Sequence, residues 1–220
     1  MAKSQPFRLR VCGRNACFSR PEMKVERVSY DVMTPSAARG ILEAVLWKPA
    51  ILWRILQIDV LNPIRWGSVR RNEVGTVISA RTAKTAMKHG HGRLGLYIEK
   101  ERQQRAGLFL RDVDYVIHAE FELTERAGPE DNVTKFEQMF IRRATRGQCY
   151  HRPYFGCREF PVEFSFVPRD AEPYDTIDDT RDLGWMLYDL DYSGKDIIPQ
   201  FFHAYIENGV IDLRDVEVRK

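Results

Sequence analysis

Between Asp114 and Leu123 the chain reads DYVIHAEFEL, and its apolar and polar residues alternate almost without fault. Tyr115, Ile117, Ala119, Phe121 and Leu123 fall on one side of an extended backbone, with Val116, His118, Glu120 and Glu122 on the other. Successive strand side chains point to opposite faces, so this period of two predicts a strand with one buried face. A one-residue slip would turn the whole aromatic set outward, which pins the register. The rest of the chain must fit around a sheet covered on one side.

Other segments supply the partners. FRLRVCGRNACF, starting at Phe7, sets Phe7, Leu9 and Val11 against Arg8, Arg10 and Cys12, giving an apolar face and a basic one. In TPSAARGILEAVLWKP, Thr34 to Pro49, Thr34 is placed to cap a helix and Pro35 suits its first position. Ala38, Ile41, Leu42 and Val45 then recur as one buried stripe, and Pro49 forbids continuation. Lys48 falls at the negative end of that helix, which favours a cation by ~0.3–1 kcal/mol. AILWRILQIDVL, residues 50–61, reads as a largely buried strand, and so apolar a run also suits a helix. NVTKFEQMFIRRATRG is a second helix with Val133, Phe136, Met139 and Phe140 inward and Gly147 as its stop. REFPVEFSF alternates again, and Pro161 makes it an edge strand.

The order strand, helix, strand, insertion, strand, helix, strand predicts an α+β fold: a ferredoxin-like (RRM-like) βαββαβ domain over residues 1–167, with an irregular basic insertion at 62–113. In that arrangement two helices cover one sheet face, and the open face carries Arg8, Arg10 and His118. Residues 168–220 contain GWMLYDLDY and FFHAYIENGVIDL, with an Asn208-Gly209 hairpin turn, and predict a small antiparallel β-sheet domain.

Charge is divided unevenly. Residues 65–105 hold ten Lys/Arg against three Asp/Glu, whereas residues 168–220 hold thirteen acidic and six basic side chains. Clustered cations attract polyanions more than a net charge of +3 suggests, which makes Arg65, Arg70, Arg71, Lys84 and Lys88 candidates for phosphate contact. No apolar run of about 18 residues suits a bilayer, and MAKSQPFRLRVCGR has no apolar signal core. The expectation is a cytoplasmic protein without a membrane partner, whose four cysteines stay reduced as small buried or half-buried thiols.

Most short motifs carry nothing. GHGRLG, Gly90 to Gly95, spells GxGxxG but neither follows a strand of a βαβ unit nor opens a helix, and His89 and His91 lack partners at metal-ligand spacing. No metal site and no cofactor is expected. Asn132-Val133-Thr134 is a glycosylation sequon by letter only, and no hydrolase or NTPase signature is present. RRATRGQCYHRPYFGCREFP, Arg142 to Pro161, is different. Arg142, Arg143, Arg146, Arg152, Arg158 and His151 precede the first acid, Glu159, and are interleaved with Gly147, Tyr150, Tyr154 and Gly156. Arginine forks bind phosphate, glycines permit close backbone approach, and aromatic rings stack on unpaired bases. Single-stranded RNA needs all three.

Three segments, YDVMTPSAARGILEAVLWKP, NPIRWGSVRRNEV and QCYHRPYFGCREFP, resemble the CRISPR-associated RAMP superfamily, specifically the family-five subunit of subtype I-C (Dvulg). The resemblance runs from about Tyr30 to the end of the chain. It implies a ferredoxin-like domain with a glycine-rich loop after its second helix and a small β-sheet C-terminal domain. The implied activity is metal-independent cutting of the CRISPR repeat transcript, with the protein then remaining bound to the crRNA beside other surveillance-complex subunits. A non-catalytic crRNA-binding subunit is the alternative, and contact with duplex DNA is left open. For cutting, the expected groups are His118 as general base or acid and Lys48 as the cation beside the phosphate. Relatives can carry a tyrosine just before Trp-Lys-Pro, where this chain has Leu46; Tyr30 and His151 are the residues that could stand in.

Overall fold

A computed structural model describes residues 2–23, 25–92 and 94–220. Its elements are β1 (Phe7–Ala16), β2 (Arg27–Val28), α1 (Pro35–Val45), β3 (Ile51–Val60), β4 (Arg65–Val74), α2 (Ala80–His89), α3 (Ile98–Glu101), β5 (Arg102–Leu123), α4 (Val133–Thr145), β6 (Glu163–Val167), β7 (Arg181–Asp191), β8 (Ile198–Ile206), β9 (Val210–Asp212) and β10 (Val218–Arg219). The main sheet runs β6-β1-β5-β3-β9, every neighbour antiparallel, while β2 and β4 also pair with β5. A second, three-stranded sheet runs β10-β8-β7.

The period-two strand is real but covers only half of β5. Its 22 residues extend about 70 Å at ~3.3 Å each. The second half lies between β1 and β3; the first pairs with β4 from Arg65↔Arg111 out to Val74↔Arg102. Asp112, with φ +52, marks the junction between the two halves. Residues 62–113, expected to be irregular, thus form a regular β-arm tipped by α2 and α3. Their sparse alternation hid the strands, because much of this arm is exposed on both faces. In GHGRLG, Gly90 ends α2 in the left-handed conformation and Arg93 lies outside the described residues.

On the helix-covered face Phe7, Trp53, Phe121, Phe136 and Phe140 form an aromatic cluster, with Trp53 and Phe140 centroids 4.8 Å apart. Thr34 Oγ1 accepts from the Ala37 amide at 3.3 Å and starts α1, as expected. The other end departs from expectation. Helix α1 stops at Val45, and its last carbonyls are satisfied by Arg143 on Val45 (2.9 Å), the Tyr150 amide on Ala44 (2.8 Å) and the Trp53 indole on Leu46 (2.9 Å). Lys48 is not among these partners. Leu46 is fully buried in the core.

The face opposite the helices is open only in part: Leu52 and Arg54 of β3 are exposed on it, but the region of Arg8 and Arg10 is covered. After β6, residues 168–177 pass back across it as a strap. Arg8 donates to the carbonyls of Pro168, Arg169 (3.0 Å) and Ala171 (2.9 Å), and Arg10 lies over the Tyr174 ring at 4.9 Å. The strap ends where the Ile177 amide donates to Val60 of β3 at 3.0 Å. The expected Asn208-Gly209 turn is present, with φ +48 and +76, but it delivers β9 to the edge of the main sheet. Met186, Phe202, Ala204 and Ile206 of the smaller sheet share the hydrophobic core with β1, β3 and β5. Of the four free cysteines, Cys17 is buried and Cys12 and Cys157 half-buried, whereas Cys149 is exposed.

Candidate nucleic-acid interface

His118 sits on the strapped face opposite Arg8 in the β1–β5 register. Its Nε2 is 2.7 Å from Asp59 Oδ2, and Gln57 Nε2 donates to the other oxygen of Asp59 at 2.6 Å. Strand alternation located His118 correctly, but the carboxylate came from β3, ahead of the neighbouring glutamates. Arg10 makes a two-pronged contact with Asp114, at 2.6 and 3.1 Å, and this hydrogen bonding raises the guanidinium pKa. Arg8 and Arg10, expected to face a ligand, are engaged within the chain.

Two further expectations are corrected. Lys48 and His118 do not meet: Ile51 pairs with Leu123 and Gln57 with His118, and six residues of strand separate them by about 20 Å. Lys48 instead lines a hollow with Asp131 and Lys135. Tyr30 is 1% exposed, and burial pushes its pKa up. It is a core residue, out of reach of RNA.

The loop from Arg146 to Pro161 leaves a different set of groups free. Arg142, Arg146, Arg152 and Arg158 are exposed and form no ion pair among the described residues, and Tyr150 is 89% exposed. Arg143 is the exception, being occupied at the end of α1. Gly147 turns the chain at φ +64 with open space around it. Gly156 has another purpose than phosphate approach: a Cβ there would lie 2.0 Å from the Cys17 carbonyl oxygen, so glycine lets the loop pack on the end of β1. Phe155 next to it is buried and plugs the core. At the same contact the Cys157 thiol donates to the Cys17 carbonyl at 3.8 Å.

Two cavities flank this loop, each of about 360 Å³. Arg152 lines one with Arg14 and Asn15 of β1, and Asn15 pairs with Arg111, itself opposite Arg65. His151 and Tyr154 line the other, against the first turn of α1 and against β7. On the arm Arg65 and Arg70 are exposed and unpaired among the described residues, as are Lys84 and Lys88 on α2. Arg71 is held by Glu159 at 2.6 Å, and Glu159 also binds Arg27 at 2.8 Å, tying arm, loop and β2 together. Among the described residues no group of three or more His, Cys, Asp or Glu is placed to share a metal ion, and no helix is long and apolar enough to cross a membrane.

Residues 7–214 match the CRISPR-associated protein (Cas5) family. The chain belongs to the Cas5 family. Among curated relatives, the "CRISPR pre-crRNA endoribonuclease Cas5d" of Mannheimia succiniciproducens is 52% identical over 212 residues, covering 94% of each chain. The protein of the same name from Thermus thermophilus is 39% identical over 225 residues, covering 94% of this chain and 90% of that one. Two solved structures share the fold at 22% identity: a CRISPR-associated protein with TM-score 0.72, covering 100% and 99% of the two chains, and a functionally uncharacterized protein from Streptococcus mutans with TM-score 0.70, covering 100% of both.

Against this Cas5 background, sequence reasoning missed Arg14, Arg111 and the β7 wall of the His151 cavity. Arg14 lies on the same strand as Arg8 and Arg10, and its lack of any neighbouring acid was the available signal. Asp189 and Tyr192 had none, since the acidic C-terminal stretch reads as solvated surface until β7 is seen to pack on α1.

Proposed function

We propose that this Cas5 protein is a pre-crRNA endoribonuclease that cuts the CRISPR repeat transcript without a metal and stays bound to the crRNA as a subunit of the subtype I-C surveillance complex, in the cytoplasm. The observation that carries this reading is the 52% identity over 94% of both chains to a relative whose name states that activity. Residues 1–167 are read as a ferredoxin-like domain carrying the insertion 62–113, supported by the antiparallel order β6-β1-β5-β3 with α1 and α4 on one face. Residues 168–220 are read as the C-terminal β-sheet domain, supported by the separate β10-β8-β7 sheet.

Such cutting asks little of the protein. The RNA's 2′-hydroxyl attacks the adjacent phosphorus, the bond to the 5′-oxygen breaks, and a 2′,3′-cyclic phosphate and a 5′-hydroxyl result. One group takes the attacking proton, another returns one to the leaving oxygen, and a cation offsets the phosphoryl charge. His151 is the proposed proton carrier, because it is exposed and Arg152 and Arg146 of the same loop form no ion pair among the described residues. His118 is less suited, since its Nε2 is already engaged by Asp59 at 2.7 Å and Arg8 opposite it is held by the strap.

Incubation of the purified chain with repeat RNA in EDTA tests the reading. Site-specific products ending in cyclic phosphate are expected, and intact RNA in a tight complex overturns catalysis in favour of a crRNA-binding subunit. That second reading has its own support: Leu46 is a core side chain without a hydroxyl, and Lys48 lies far from His118.

A further inference from the structure

The cavity beside His151 has features that neither strand cleavage nor phosphate contact uses. It lies between the first turn of α1, the loop Pro153–Gly156 and β7, and at about 360 Å³ it is near the lower end of small-ligand sites, suited to a single nucleoside. Tyr154 and Tyr192 supply aromatic walls, with Leu187 and Leu190 as apolar lining. Asp189 supplies an acceptor. Its Oδ1 takes bonds from Arg39 Nη2 (2.6 Å) and the Leu190 amide (2.7 Å), while Oδ2 has no partner among the described residues.

Gly40 is the second observation. It sits inside α1, where glycine destabilises a helix relative to alanine, yet a Cβ there would meet nothing within 4 Å. No packing demand accounts for the missing side chain; Gly40 is exposed and lines the cavity, so a side chain there would project into open space at its edge. One buried polar atom without a partner among the described residues lies in the same wall: Arg39 Nε, on a residue that lines the cavity.

We propose that this cavity takes one unstacked purine base of the bound RNA, stacked against Tyr154 and Tyr192 and donating an N–H from its Watson–Crick edge to Asp189 Oδ2. The consecutive residues His151 and Arg152 line one cavity each, so a strand whose phosphate rests on Arg152, beside Arg14 and away from the Glu159 and Glu163 that share its cavity, can drop its next base in beside His151. This specificity site rests on the RNA-processing reading above.

The test is a repeat RNA in which each purine in turn is replaced by 2-aminopurine, with emission read at saturating protein. One position is expected to change emission at least threefold. Gly40→Leu, Tyr154→Ala and Asp189→Asn should abolish that change while weakening RNA binding by roughly tenfold, the order of one lost base stack. Gly40→Leu is the decisive variant, since its new side chain points into open space and leucine favours the helix. Bound RNA with no responsive position, or a response that survives Gly40→Leu, overturns the pocket and leaves the enzyme reading standing. Loss of the signal to millimolar GMP overturns assignment to an RNA-borne base, and a chain that binds no repeat RNA overturns both readings.

Discussion

Two basic surfaces of this molecule have opposite fates. On β1, Arg8 and Arg10 project from the sheet face where an RNA could lie, yet the strap 168–177 and Asp114 occupy both. Beyond α4 and along the arm, Arg146, Arg152, Arg158, Arg65 and Arg70 are exposed with no carboxylate taken among the described residues. Both surfaces look alike as letters. A guanidinium already paired in the chain adds rigidity, and one left unpaired adds a field that falls off over about 10 Å at 0.1 M salt, so only the second attracts a strand.

The sharpest way to break this contrast is to remove one histidine from each surface. His151→Ala is expected to slow cleavage by ~10²–10⁴-fold, the usual worth of a positioned proton carrier, with RNA affinity within a few-fold. His118→Ala should leave the cleavage rate within about tenfold. Single-turnover rates at saturating protein separate the two, and the reverse ranking would move the reaction to the strapped face.

Next in size is the electrostatic term. Charge reversal at Arg146 and Arg152 together should cost on the order of 100-fold in affinity, from two lost charged contacts. It should also make the log–log salt dependence shallower by about 1.4, at ~0.7 for each single-strand phosphate released. Reversing Arg8 should leave that slope unchanged, and an equal change in slope from Arg8 would mean that the strap lifts off when RNA arrives.

Arg10→Ala turns to stability. Asp114 is 8% exposed, and without Arg10 it keeps its charge in a poorly hydrated place. A loss of ~1–2 kcal/mol is expected in denaturant unfolding, less than for a fully buried pair because the arginine side chain is 39% exposed. RNA affinity measured well below the unfolding midpoint should be unaltered.

How much of this was legible beforehand follows from the range of each interaction. Alternation around Tyr115 to Leu123, the Thr34 cap and the Gly147 stop are local, so they were readable from neighbouring letters and the structure has them. The strap was not, because the pairing of Arg8 with carbonyls 160 residues away leaves no trace in composition. The same holds for Arg143 at Val45 and for Gly156 against Cys17, both tertiary contacts that a reading of loop chemistry assigned to RNA. The cluster of cations was visible; which of them were free was not.

The smallest effect concerns the joint between the loop and the arm, where Glu159 holds Arg71 of the arm and Arg27 of β2. Arg71's hydrogen bond keeps the Glu159 pKa below the ordinary glutamate value. A depressed carboxylate contributes stability that is complete above the unfolded value, about pH 4.3, and is lost as pH falls through the lower folded value. Glu159 is 41% exposed at its side chain, so Glu159→Gln should cost only ~0.2–1 kcal/mol at pH 7, with the difference from wild type shrinking as pH falls through the lowered Glu159 pKa. Hydrogen exchange on the arm amides of β4 resolves so small a change better than global unfolding does. Faster exchange across β4 and not across β3 would locate the loss at the joint, and equal acceleration in both strands would show that Glu159 supports the whole sheet and that arm and core do not behave as separate surfaces.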